Sequence, residues 1–364
     1  MTEKKHQIIW GILALFVIVT FVVWFKPSDE YSTSERRPLE QFPEVSVDAV
    51  LSGEFMNDFE KYAADQFPFR DELRNLKALF STYVLGQKDQ HDIYVAQGHA
   101  SKMEYPLKEA SVKRAVQRFQ YISDKYFRGT NVNVYYALIP DKNFFLAKEY
   151  GYLSMDYEQM FSMVEKGLES MEKIDLIPYL SLDHYYTTDL HWRQEMLLEV
   201  SNVILHSMGQ NSETSYELNT LENPFYGVYA SQSALALEPD SIQYYSNDVL
   251  ENCIVYDYEN QKEIKIYDPE KAQGNDPYEM FLSGPLSLIT IENDQAASDR
   301  ELIMFRDSFG SSIAPLFAEH YRKITLVDIR YIHPDLLEKY IEFVDQDVLF
   351  LYSTSILNNG ETLK

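Results

Sequence analysis

Ser308 stands in Arg306-Asp307-Ser308-Phe309-Gly310, directly after the apolar run Leu302–Phe305, and Asp189-Leu190-His191-Trp192 lies upstream in the same chain. Hydroxyl, imidazole and carboxylate are the parts of a nucleophilic acyl-transfer site: the imidazole takes the serine proton and the carboxylate holds the imidazole. The apolar run reads as a buried strand and Ser311–His320 as a helix, so Ser308 belongs at the turn between them. Helix N-terminal amides there favour developing negative charge. The backbone amides of Ser308 and Phe309 are the expected oxyanion donors, with the Arg306 cation as a third. Serine is also a preferred N-cap, and capping alone accounts for a strand-Asp-Ser-helix pattern.

Asp189 and His191 are two positions apart, a spacing that points both side chains to one face of an extended chain. A helical stripe of Met196, Leu197, Val200, Ile204 and Met208 follows, which places the pair in the turn before a helix. Two other readings stay open. Thr188 or Asp189 could cap that helix, with His191 on its first turn; or Asp183, His184, Asp189 and His191 could hold a metal. Their spacing matches no strong metal signature, so neither metal nor cofactor is expected. His333-Pro334-Asp335 offers a second histidine with an acidic neighbour, but proline there is a helix-start signal.

Thr188-Asp189-Leu190-His191-Trp192 resembles the motif that names the DHHW protein family, with Leu190 in place of the usual first histidine, and Arg306-Asp307-Ser308-Phe309-Gly310 resembles that family's serine motif. The family is similar to alginate O-acetylation proteins of the AlgJ and AlgX type, which are SGNH-hydrolase-like. Phe67-Pro68-Phe69-Arg70 after an amphipathic helix and Ile139-Pro140-Asp141-Lys142 after a strand agree with it. The resemblance implies a nucleophile at Ser308, a base at His191 and an orienting carboxylate at Asp189. It further implies O-acyl, most simply acetyl, transfer to or from a cell-surface polysaccharide beside a membrane-bound O-acyltransferase. A non-catalytic glycan-binding or scaffolding subunit of such a system is the alternative, because the glycine and asparagine donors that SGNH enzymes normally add have no evident counterparts. Tyr186, Tyr226 and Lys142 are the candidate substrate contacts: aromatic faces stack on sugar rings, and an ammonium suits a carboxylated sugar or an oxyanion.

No residue from Gln7 to Phe25 is charged, and Lys4 and Lys5 precede the run. At about 1.5 Å per residue it approaches the hydrocarbon thickness of a bilayer, and the lysines argue for an interior N-terminus and an exterior remainder. A cleavable signal peptide is the competing reading, but Val23-Trp24-Phe25-Lys26-Pro27 lacks small residues at the exit. A formal charge of −25 argues against nucleic acid as a partner. The lone Cys253 excludes internal disulfides.

The expected organisation is a cytoplasmic tail at 1–6, a transmembrane anchor at 7–25, a polar linker at 26–50 and an exterior domain at 51–364. Strand and helix patterns alternate: strands at 132–139, 174–177, 302–305, 324–327 and 348–352, helices at 160–171, 311–321 and 334–343. Such alternation needs right-handed crossovers and builds a mainly parallel sheet between helical layers, an SGNH-like three-layer α/β domain. Ligands gather at the carboxyl ends of such strands, where Ser308 and Lys142 would both lie. A tyrosine-, proline- and glycine-bearing stretch at about 220–295 reads as a β-rich insertion or lid.

Overall fold

The computed structural model describes residues 2–32, 34–210, 214–296 and 298–364. It divides into two compact units, Met1–His91 with Ala230–Ala236, and Asp92–Tyr229 with Leu237–Lys364.

The first unit holds the helices Thr2–Phe25, Val47–Ser52, Glu54–Asp65 and Arg70–Tyr83. The stretch expected as a polar linker contains a small hairpin, Tyr31–Ser32 against Arg37–Pro38. Arg37 grips Asp65 through both terminal nitrogens, at 2.7 and 2.6 Å, and this bond holds the Asp65 carboxyl below its ordinary pKa. The transmembrane helix expected at 7–25 is not found as a span. Thr2–Phe25 is helical, but among the described residues no helix is long and apolar enough to cross a membrane. Within that run the side chains at 8, 12, 15, 16, 19, 20, 23 and 24 lie outside the described residues.

The second unit is built on an eight-stranded sheet. Its strands are β1 (Asn133–Ile139), β2 (Glu172–Ile174), β3 (Ile254–Asp257), β4 (Lys262–Ile264), β5 (Leu288–Glu292), β6 (Glu301–Arg306), β7 (Lys323–Val327) and β8 (Asp347–Ser353). The spatial order is β4-β3-β5-β7-β6-β8-β1-β2. From β7 to β2 the neighbours run parallel, whereas β5, β3 and β4 extend the sheet antiparallel. Successive residues of the central strands feed opposite faces, as the two-residue period of a strand requires. Leu302, Met304, Leu349 and Leu351 pack on the side of helix Leu198–Ser207, while Ile303, Phe305, Val348 and Phe350 pack on the side of helices Glu109–Tyr126 and Tyr157–Gly167. These are the layers of the mixed α/β domain expected from the alternation.

Three expectations change in detail. The helix expected at Ser311–His320 is only Gly310–Ile313, followed by a 3-10 turn at Ala314–Phe317, because Pro315 lacks an amide and its ring crowds the carbonyl four residues back. The helix expected at 334–343 is a 3-10 turn, Pro334–Lys339. The stretch at 220–295 is not wholly an insertion: Glu217–Phe225 pairs with Asp240–Ser246 as a separate hairpin, but β3, β4 and β5 join the main sheet. Val255 and Ile289 are buried with the core, so these short strands are held by packing rather than by any long alternating pattern.

Candidate active site

Strand β6 is buried along Leu302–Arg306, and the chain turns at its carboxyl end. Asp307 builds that turn. Its Oδ1 accepts the Phe309 N–H at 3.0 Å and its Oδ2 accepts the Ser353 N–H at the end of β8, at 2.8 Å. Gly310 completes it, since a Cβ there would stand 2.7 Å from the Arg306 Cβ. Ser308 is left half-buried at the tip.

The second segment is a tight loop, closed by a bridge between Tyr185 and Trp192 and by the Tyr186 N–H donating to the His191 carbonyl at 3.1 Å. Asp240 fixes its start: one carboxylate oxygen accepts the amide and hydroxyl of Thr187, both at 2.8 Å, and the other accepts the Thr188 amide at 2.8 Å and hydroxyl at 2.5 Å. Asp189 and His191 are therefore not in extended chain. The Asp189 Oδ1 accepts the His191 backbone N–H at 3.0 Å, an Asx turn, and this turn rather than a strand brings the two side chains together.

Trp192 and Gln194 join this loop to the serine turn. The Trp192 indole N–H lies 3.0 Å from the Phe309 carbonyl and 2.9 Å from the Ser312 hydroxyl. The Gln194 amide donates to the Ser312 carbonyl at 2.6 Å and accepts the Tyr245 N–H at 2.9 Å.

The outcome is a continuous relay between residues 117 positions apart in the chain. Ser308 Oγ lies 2.8 Å from His191 Nε2, and His191 Nδ1 lies 2.6 Å from Asp189 Oδ1. Asp189 is 1 % exposed, and its Oδ2 also accepts the Val228 N–H at 2.8 Å. A buried carboxylate that already accepts the backbone N–H groups of His191 and Val228 is placed to accept from His191 Nδ1 as well, which leaves Nε2 to accept from the serine hydroxyl. Such an arrangement can deprotonate Ser308 and hold the imidazolium that results.

Other expected residues fall elsewhere. The Phe309 amide is already engaged by Asp307, so it is not an open oxyanion donor. Arg306 is fully buried, donates to the Asp307 carbonyl and faces Asp328 at 3.8 Å; burial pushes its guanidinium below the ordinary value. It is a structural cation beneath the turn. Tyr186 is fully buried edge-on to Phe225 and offers no face to a ligand. Lys142 is buried under the loop, its Nζ donating to the carbonyls of Tyr186 at 2.8 Å and Thr187 at 3.3 Å. Burial pushes it down to about 7, against the pull of Asp189 and Asp240. Tyr226 alone of the three proposed substrate contacts is exposed, at 51 %. His333 caps a 3-10 turn by accepting the Asp335 N–H. His184 accepts the Ser181 N–H at 3.1 Å, and among the described residues no group of three or more His, Cys, Asp or Glu could hold a metal ion.

Besides Asp240, two contributors carried no sequence signal. Tyr278 lies parallel to the His191 ring, centroids 3.8 Å apart and planes 6° apart. Gly227 backs Asp189. Neither is near the motifs in sequence, and tyrosine and glycine are too common for composition to single them out.

No family model matches this chain, and no curated protein does. Solved structures do. A DHHW family protein from Eubacterium siraeum superposes with a TM-score of 0.56 at 21% identity, over 74% of this chain and 93% of that one. Bacillus cereus PatB1, in a structure with a sulfonyl adduct, superposes with a TM-score of 0.59 at 18% identity, over 73% of this chain and 95% of that one. Over about three quarters of its length, this chain shares the mixed α/β fold of a DHHW family protein and of PatB1.

Proposed function

We propose that this protein is a serine-dependent O-acyltransferase or esterase acting on a cell-surface polysaccharide, with Ser308 as nucleophile, His191 as base and Asp189 as its orienting carboxylate. The observation that carries the reading is the relay of 2.8 and 2.6 Å through His191. His191 Nε2 takes the Ser308 proton while Oγ bonds to the acyl carbonyl carbon. The tetrahedral oxyanion forms against the Ser308 amide, the one backbone donor of the expected pair that Asp307 has not claimed. Collapse expels the donor alkoxide, which takes the proton from the imidazolium. A sugar hydroxyl then gives its proton to Nε2 and bonds to the acyl carbon, and Ser308 leaves with that proton; water in place of the sugar gives hydrolysis. The half-exposed Tyr226 supports a sugar-binding surface beside the loop.

The uncharged run Gln7–Phe25 behind Lys4 and Lys5 supports placing this chemistry on the outer face of a membrane, beside a membrane-bound O-acyltransferase as acyl source. A second reading, a glycan-binding or scaffolding subunit without catalysis, is favoured by the engaged Phe309 amide and the buried Arg306. Ester turnover separates the two. The wild type should hydrolyse p-nitrophenyl acetate and be labelled at Ser308 by a sulfonyl fluoride, which leaves a sulfonyl group, the kind of adduct that the PatB1 structure carries. Ser308→Ala should lose both with an unchanged circular dichroism spectrum, and Asp189→Asn should retain the fold but lose roughly 10³–10⁴-fold in kcat through the wrong tautomer. Unlabelled Ser308 and equal turnover in the variants would leave the binding subunit as the reading.

A further inference from the structure

A second residue besides Asp189 serves His191, and it comes from a distant part of the chain. Pro277–Met280 is a 3-10 turn capped by Asp276, whose side chain accepts the Tyr278 N–H. That turn delivers the Tyr278 ring flat onto the imidazole of His191 at 3.8 Å, while Phe309 meets the same imidazole at 5.1 Å and 54°. The Tyr278 hydroxyl donates to Ser312 Oγ at 2.8 Å, the atom that also receives the Trp192 indole N–H at 2.9 Å. One tyrosine thus touches the base through its face and, through its hydroxyl, a hydrogen-bond junction shared by the serine turn and the histidine loop. Tyr278 is fully buried and burial raises its phenol well above the ordinary value, so it remains a neutral donor.

We propose that Tyr278 is a positioning residue for His191, whose stacked ring fixes the imidazole plane between Asp189 and Ser308 and stabilises the imidazolium formed during acyl transfer. The physical reason is twofold. A ring stacked on a parallel aromatic and met by Phe309 at 54° cannot rotate about its Cβ–Cγ bond without disturbing both contacts, so Nδ1 and Nε2 stay aimed at their partners. The negative π-face of the phenol also attracts a cation lying over it, an attraction that strengthens away from water. His191 is 6 % exposed. Asp189 lies on the imidazole edge, and Asp307 and Arg306 from the serine turn and Tyr186 from the histidine loop act on Tyr278. Neither substitution below removes any of these, so a change at His191 reports the Tyr278 ring.

The role in catalysis rests on the acyl-transfer reading, but the stack can be tested without turnover. In the full-length wild type, proton NMR of His191 should show ring resonances shifted upfield by the current of the Tyr278 ring; ordinary positions would overturn the proposal. Tyr278→Leu removes the ring, so it should return the His191 resonances to ordinary positions and slow sulfonylation of Ser308 about tenfold. Tyr278→Phe, which keeps the ring and loses only the Ser312 bond, should keep both the upfield shift and the labelling rate. An upfield shift that survives in Tyr278→Leu, or one lost equally in both variants, would overturn it. If Ser308 proves unreactive in the wild type while the ring shifts behave as stated, the acyl-transfer reading fails and the stack stands. If Ser308 is labelled at the wild-type rate in Tyr278→Leu, the positioning role fails alone.

Discussion

Gly227 lies against the backbone of Asp189 so closely that a Cβ on it would stand 2.3 Å from the Asp189 Cβ and 2.4 Å from its Cα and nitrogen. The contact explains how a carboxylate in a mid-chain loop is held from behind. The Gly227 N–H donates to the Thr188 hydroxyl at 2.8 Å, and the next amide, of Val228, reaches Asp189 Oδ2. Two successive backbone donors therefore seat the motif, and both need the chain to pass where only glycine fits.

Gly227→Ala should consequently act as an active-site lesion although residue 227 bears no functional group. The methyl must displace backbone rather than the end of a flexible side chain, so the Val228 bond to Asp189 should lengthen or break. We expect a stability loss of about 1–3 kcal/mol, typical of overpacking a close contact. Ester turnover should fall much further than that loss explains while unfolding remains cooperative. Thermal unfolding with p-nitrophenyl acetate hydrolysis checks it: turnover that falls only in step with the folded fraction would refute the link to Asp189.

The two motifs were legible before the fold because each carries its reason locally. Asp307 and Gly310 build the serine turn within the pentapeptide, and Asp189 reaches His191 across one residue. The parallel centre of the sheet was legible for a similar reason, since β6 and β8 carry the continuous apolar runs Leu302–Phe305 and Val348–Tyr352, as strands buried on both faces do. What was not legible depends on burial. Tyr186, Lys142 and Arg306 have the right chemistry to meet a ligand, yet each is turned into the core, with exposures of 0, 2 and 0 %. No local pattern tells an aromatic or cation aimed at solvent from one aimed inward when the loop that carries it folds back on itself. Asp240, Tyr278 and Gly227 act across 38 or more positions, where single-sequence periodicity is silent.

Lys142 makes that burial measurable through pH. Its Nζ supports the Tyr186 and Thr187 carbonyls and lies 5.1 Å from the Tyr229 ring centre, with Asp189 and Asp240 as the nearby opposite charges. Burial lowers its pKa from 10.5 to about 7. Between those values the unfolded chain holds a proton that the folded chain releases, so the folded state gains stability as pH rises through the window, by at most ~1.4 kcal/mol per pH unit. Below about pH 7 both states are protonated and the full cost of the buried charge remains. Lys142→Met removes the titration. The stability difference, wild type minus variant, should therefore grow from pH 7 toward pH 10, read by urea unfolding at matched ionic strength. A difference that is flat or declining with pH would show that Lys142 does not titrate as described.

The buried charges beneath the serine turn are arranged asymmetrically, and the asymmetry predicts unequal costs of removing them. Asp328 is fully buried and receives Arg330 through Nε at 2.9 Å and Nη2 at 2.6 Å, besides the Arg330 backbone N–H at 3.0 Å. Arg306 approaches the same carboxylate only to 3.8 Å, and its Nε has no hydrogen-bond partner among the described residues. Removing Arg306 leaves Asp328 still paired with Arg330, whereas neutralising Asp328 strands the Arg306 guanidinium at 0 % exposure. An uncompensated buried charge costs about 3–5 kcal/mol, while loss of weak hydrogen bonds costs on the order of 1 kcal/mol. Asp328→Asn should therefore destabilise the protein by at least about 2 kcal/mol more than Arg306→Met, which keeps the stem that packs on Gly310. Because Arg306 also supports the Asp307 carbonyl, Arg306→Met should retain the fold yet loosen the serine turn, slowing sulfonylation of Ser308 more than it lowers the melting temperature. Equal destabilisation by the two substitutions would mean that Arg306, and not Arg330, is the principal partner of Asp328.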